Sequence, residues 1–152
     1  MQVETLKDVL HWTKEFHQHL SQCLSYCADK NTNERARMML DYLSDHEKTL
    51  TNTVNGFEVS GDQHALNTWC VEYVAKHPIV QHAYCDAPFA ELDASQIMAV
   101  IVDQYQQVIE LYRDLASRAV IPSAKELLES LRSLEEHEMK RMAQSANRFE
   151  DM

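Results

Sequence analysis

Four stretches of this chain place apolar side chains at alternating intervals of three and four residues, each for about twenty residues. That spacing follows one stripe of an α-helix, because 3.6 residues per turn bring positions i, i+3, i+4 and i+7 to the same side. The first stripe is Leu6, Val9, Thr13, Phe16, Leu20, Cys23 and Cys27; the second is Ala36, Leu40, Leu43, Glu47, Leu50, Val54 and Phe57. The third is Ile97, Ile101, Gln104, Val108, Leu111 and Leu115; the fourth is Leu127, Leu131, Leu134, Glu138, Met142, Ser145 and Phe149. A rod with one apolar stripe must cover it with another element, so four rods predict an all-α four-helix bundle. Two Gly and three Pro in 152 residues leave too few turn signals for an all-β chain. The reading places helices at about 3–29, 33–57, 94–119 and 123–149, in one domain over residues 1–152.

Connection lengths then suggest topology. Asp29 to Asn33 is a short polar link, and Ile121-Pro122-Ser123 is another, with Ser123 and Glu126 spaced as a capping box for the fourth helix. Helices joined so tightly must be antiparallel neighbours. The middle connection, about 58–93, is long enough to return the chain along the bundle, which would set the third helix parallel to the second. Ser60 and Gln63 have capping-box spacing, and Leu66, Trp69, Cys70 and Tyr73 follow at helical intervals, so this crossover is expected to carry a short amphipathic helix over about 63–76. Trp69 and Tyr73 would anchor it, and Pro78 and Pro88 bracket the less regular remainder.

Charge narrows the partners. Asp and Glu number 24 against 14 Lys and Arg, for a formal net charge of −10. No Lys/Arg run exceeds a pair, so nucleic acid and anionic lipid are not expected as partners. No apolar run reaches the roughly 18 residues of a membrane-spanning helix, and the charged start lacks the apolar region of a signal peptide; a cytoplasmic protein is the expectation. Cys23, Cys27, Cys70 and Cys85 form no Cys-x-x-Cys pair and are read as small packing groups of a reduced protein. The sequence has no Gly-rich phosphate loop and no Gly-x-Ser-x-Gly nucleophile elbow.

Two segments repeat. Leu40-Asp41-Tyr42-Leu43-Ser44-Asp45-His46-Glu47 aligns with Leu131-Arg132-Ser133-Leu134-Glu135-Glu136-His137-Glu138 at an offset of 91, both reading Leu-x-x-Leu-x-acid-His-Glu. Four helices, a long second connection and acid/His segments on helices 2 and 4 resemble the ferritin-like and rubrerythrin-like superfamily. That resemblance implies a ferritin-like bundle. In the superfamily's di-iron members a Glu from each of two helices and a Glu-x-x-His from each of the other two hold the metals. Here Leu50 stands three residues after Glu47 and Arg141 three after Glu138, and the chain contains no Glu-x-x-His.

Counting outward from the two tight turns sets His17, Glu47, Gln104 (or Tyr105) and Glu138 at similar depth. They are the candidate metal ligands, with His46 and His137 as alternates if the buried face is shifted by one residue. Buried carboxylates close together need a proton or a cation between them. Carboxylate and imidazole donors suit iron or manganese. Hydrogen bonds among Tyr42, Tyr105 and His17 would make the same layer purely structural. His11, Glu15 and His19 form a further i, i+4, i+8 stripe on a mostly solvent-facing side of helix 1. Two functions follow: a bundle with a non-standard metal site, whose catalysis, if any, would be metal-dependent oxidoreduction; or a metal-free interaction or scaffold module. The second would use the crossover, with Trp69, Tyr73 and Phe89, as its interface, and a homodimer is the expected assembly. The missing Glu-x-x-His weighs against catalysis.

Overall fold

The computed structural model describes residues 5–67 and 89–150. Five helices occur there: α1 (Leu6–Lys30), α2 (Glu34–Ser60), α3 (Gln63–Leu66), α4 (Ala94–Arg118) and α5 (Pro122–Glu150). The four long ones lie within a few residues of the positions that periodicity predicts. The short link between α1 and α2 is held by one side chain. Asn31 is buried, accepts from the Asn33 amide at 2.8 Å, and donates to the carbonyls of Phe89 (2.8 Å) and Leu92 (3.0 Å). The first interhelical turn is thereby tied to the end of the crossover. Asp93 then starts α4 through a reciprocal capping box with Gln96.

Side-chain pairs across the helices give their directions. His17 meets Glu47 and Ser21 meets Ser44, so α1 and α2 are antiparallel. Tyr42 bonds Ser145 and His46 meets Glu138, so α2 and α5 are antiparallel too. Gln106 reaches Met139 and Arg113 reaches Glu136, which makes α4 antiparallel to α5. It follows that α4 runs parallel to α2. Only a connection as long as the bundle can join two parallel helices, and residues 61–93 provide it. The core between the helices is mostly apolar, from Leu6, Leu10 and Leu24 to Ile97, Val108 and Leu128, with a polar layer inside it.

Several local expectations need correction. Ser123 and Glu126 do not cap α5: the helix starts one residue earlier, at Pro122, where proline's fixed φ and missing N–H suit the first turn. Ser60 does not cap α3 either. It closes α2 with its hydroxyl on the Gly56 carbonyl at 2.6 Å, and Asp62 is the N-cap, accepting from the Ala65 amide. Between them the chain turns so tightly at Gly61 that a Cβ there would sit 2.6 Å from the Phe57 carbonyl oxygen. Phe89, expected to face a partner, is buried in the core. Cys23 is buried and disulfide-bonded, and so is more than a packing group; Cys27 is a buried free thiol. Residues 68–76 of the predicted short helix, with Trp69 and Tyr73, also lie outside the described residues. Among the described residues no helix is long and apolar enough to cross a membrane.

Candidate functional site in the bundle core

Midway along the bundle the apolar stripes are interrupted by ionisable side chains from α1, α2 and α5. His17 projects from α1 beside Phe16, whose ring meets the imidazole edge-on at 5.3 Å between centroids. On one side its Nδ1 lies 2.6 Å from Glu47 Oε2; on the other its Nε2 lies 2.8 Å from Glu135 Oε1. The side chains of His17, Glu47 and Glu135 are 0%, 0% and 1% exposed. From α4, the Tyr105 hydroxyl donates to the second oxygen of Glu47, and its ring tilts over the imidazole at 5.4 Å. Four helices thus meet in one hydrogen-bonded chain: Tyr105, Glu47, His17, Glu135.

The protonation state follows from the geometry. A neutral imidazole has one N–H, whereas an imidazolium has two, and two carboxylates flank this ring. Burial pulls the His17 pKa down, but the charges of Glu135 and Glu47 and their hydrogen bonds outweigh it and push the value up to about 10. His17 is therefore an imidazolium at neutral pH, donating to both acids. Burial and the nearby Glu47 charge drive the Tyr105 pKa well above its ordinary value, so Tyr105 stays protonated and donates. Tyr112 is raised for the same reasons, burial first and then Glu135. Its hydroxyl has no well-formed hydrogen bond among the described residues, its contact with Thr13 falling short of one. The remaining oxygen of the array, Glu135 Oε2, is buried and likewise without a hydrogen-bond partner among the described residues.

The sequence-derived ligands separate in the structure. His17 and Glu47 come together as expected. Glu138 does not join them: it faces His46, with Oε2 at 2.5 Å from Nε2, and its other oxygen lies 3.7 Å from Arg141. This outer pair borders a cleft of about 250 Å³ between α2 and α5 that includes Tyr42, Leu50, Leu134 and Arg141. Gln104 is buried but makes none of the array's hydrogen bonds; its neighbour Tyr105 does. His137 is exposed. On α1, His11 pairs with Glu15 at 3.1 Å and lies 3.5 Å from Glu58.

Glu135 is the residue that sequence reasoning misses. Among the described side chains of α5, the buried ones are Ala124, Leu128, Leu131, Glu135 and Met142, a stripe that also alternates four and three before its last step. The apolar Leu127 and Leu134 draw the predicted seam one residue aside, yet both are only half-buried. The internal repeat reinforces the error. It equates Glu138 with Glu47 and Glu135 with Ser44, but α2 and α5 are antiparallel, so equivalent positions need not share a layer.

No protein-family model and no curated protein matches this chain. Among solved structures the chain is similar to a Thermotoga maritima protein described provisionally as a ferritin-like diiron-carboxylate protein. The TM-score is 0.64 at 10% identity, over 94% of this chain and 95% of that one. At that identity the likeness shows the fold, a ferritin-like helical bundle. The donor set here does not suit a dinuclear carboxylate centre. The two core carboxylates lie on opposite edges of a single imidazole, and the next candidates, Glu138 and His46, are paired with each other at the margin of the cleft. Among the described residues no three His, Cys, Asp or Glu side chains converge on one point as metal ligands would.

Proposed function

We propose that this ferritin-like bundle carries out no metal-dependent reaction in its core and acts as a metal-independent binding or scaffold module. One observation carries the reading: His17 spends both ring nitrogens on Glu47 and Glu135, inside a site closed to solvent. An imidazolium is no metal ligand, because both of its lone pairs hold protons. A sealed array also offers no face to a substrate. The array instead fixes α1, α2, α4 and α5 in one register, since each helix contributes a donor or acceptor whose partners sit on other helices.

The alternative is a single iron or manganese ion held by Glu47, Glu135 and His17. Its support is Glu135 Oε2, a buried carboxylate oxygen with no hydrogen bond among the described residues. Metal analysis by plasma mass spectrometry separates the two readings. Untagged protein would be isolated anaerobically, offered Fe²⁺ or Mn²⁺ at neutral pH, desalted and measured beside Glu47→Gln/Glu135→Gln. The expected result is far less than one metal per chain in both. Near-stoichiometric metal that disappears in the double variant would overturn the proposal and establish the alternative.

A further inference from the structure

We infer that Glu47 and Glu135 form a cation seat that the protein fills from within, with the His17 side chain as its plug. The inference rests on the metal-independent reading above and goes one step further. It assigns the core acids an affinity for cations that becomes measurable only when the plug is removed.

Three observations support it. First, the acids meet the ring from α2 and α5 at 2.6 and 2.8 Å, contacts short enough for charge-assisted bonds to one shared cation. Second, burial is complete, so water cannot supply the missing counter-charge, and two unpartnered carboxylates there would be costly. Third, Glu135 Oε2, on the acid that meets the ring from α5, has no hydrogen bond among the described residues. Taking the ring out of this array leaves two carboxylates, the Tyr105 hydroxyl and a space the size of an imidazole. That set suits two cations of different chemistry. One is a free imidazolium, which reproduces the plug. The other is a hard divalent ion with some of its own water, which takes oxygen ligands in flexible geometry.

The test is His17→Ala, studied by thermal unfolding with and without imidazole or Mn²⁺ at neutral pH, beside the wild type and His17→Ala/Glu135→Gln. The expected results are an unfolding midpoint raised by several degrees by each probe in His17→Ala, no comparable rise in the wild type, and loss of the Mn²⁺ effect in the double variant. Should His17→Ala not fold alone, helical circular dichroism titrated with each probe replaces the midpoint, and a gain of helix with either supports the seat. Silence of the variant towards both probes would overturn the inference, as would equal responses from variant and wild type. Stoichiometric metal in the wild type would instead overturn the metal-independent reading, so the two failures are distinguishable.

Discussion

Two His–carboxylate contacts lie close together along the bundle, and they differ in almost everything except residue type. The inner one sets His17 between Glu47 and Glu135, fully enclosed. The outer one pairs His46 with Glu138 one to one at the margin of a cleft, the side chains 10% and 14% exposed and Arg141 nearby. Adjacent residues on α2, and residues three apart on α5, feed the two sites. Neighbouring positions on the same helices thus feed a fully enclosed array and a pair at the margin of a cleft. Enclosure decides the energetics. Breaking a buried ion pair strands a charge and typically costs about 3–5 kcal/mol, whereas exposed pairs contribute roughly 0–1 kcal/mol.

The largest expected effect comes from breaking the inner site on one side only. His17→Leu leaves two acids enclosed without a cation, and urea unfolding should show a loss of about 3–5 kcal/mol. Replacing all three members together, His17→Leu/Glu47→Leu/Glu135→Leu, removes the charges with the need for them. Well-packed apolar replacements of buried ion arrays are often neutral or stabilising, so the triple variant should recover most of that loss. If the triple variant is weaker than His17→Leu, the array is not a mutually compensating unit.

Alkali should sharpen the contrast. The folded pKa of His17, about 10, lies above its ordinary value of 6.5, so its contribution is fully present below pH 6.5 and is lost as pH rises through 10. Facing the ring are Glu47 from α2, Glu135 from α5 and Tyr105 from α4. The Tyr105 and Tyr112 pKa values are themselves raised, so neither hydroxyl ionises in that window. Urea midpoints at pH 6.5, 8 and 9.5 should therefore fall steadily in the wild type. The difference between wild type and His17→Leu should shrink over the same range. A constant difference would mean that His17 is neutral in the fold.

The sequence speaks clearly where the physics is periodic and ambiguously where it depends on partners. Leu6 to Cys27 and Ala36 to Phe57 announce α1 and α2, and the length of the second connection by itself implies a crossover between parallel helices. His17 and Glu47 are legible as a facing pair because a tight turn makes depth countable from both sides. Glu135 is not, because α5 offers apolar residues at both 127/134 and 128/131, and choosing between two stripes one residue apart requires knowing which neighbours they face. Helix ends are displaced for a similar reason. Ser60, Ser123 and Glu126 have the spacing of caps, but capping depends on where the chain turns, and Gly61 and Pro122 set that.

Tyr105 lies between the two extremes. Tyr105→Phe keeps the ring against His17 and removes only the hydroxyl that donates to Glu47, leaving one enclosed carboxylate oxygen without its donor. An unsatisfied buried acceptor costs about 1–3 kcal/mol, and that is the expected loss. In a double-mutant cycle with His17→Leu the two effects should not add, because both act through Glu47.

At the outer site, Glu138→Gln should cost less than His17→Leu in the same urea measurement, since this contact reaches the cleft and has Arg141 beside it. Its electrostatic part should fade with added salt, because charges within reach of water are screened over about 10 Å at 0.1 M. The inner array lies beyond the reach of mobile ions, so the His17→Leu loss should be the same at about 0.05 and 0.5 M NaCl. Salt therefore separates the two regions without any change in side-chain chemistry. A Glu138→Gln effect as large and as salt-independent as that of His17→Leu would mean that the outer pair is as enclosed as the inner one, and the division between an inner enclosed array and an outer pair at the cleft margin would fail.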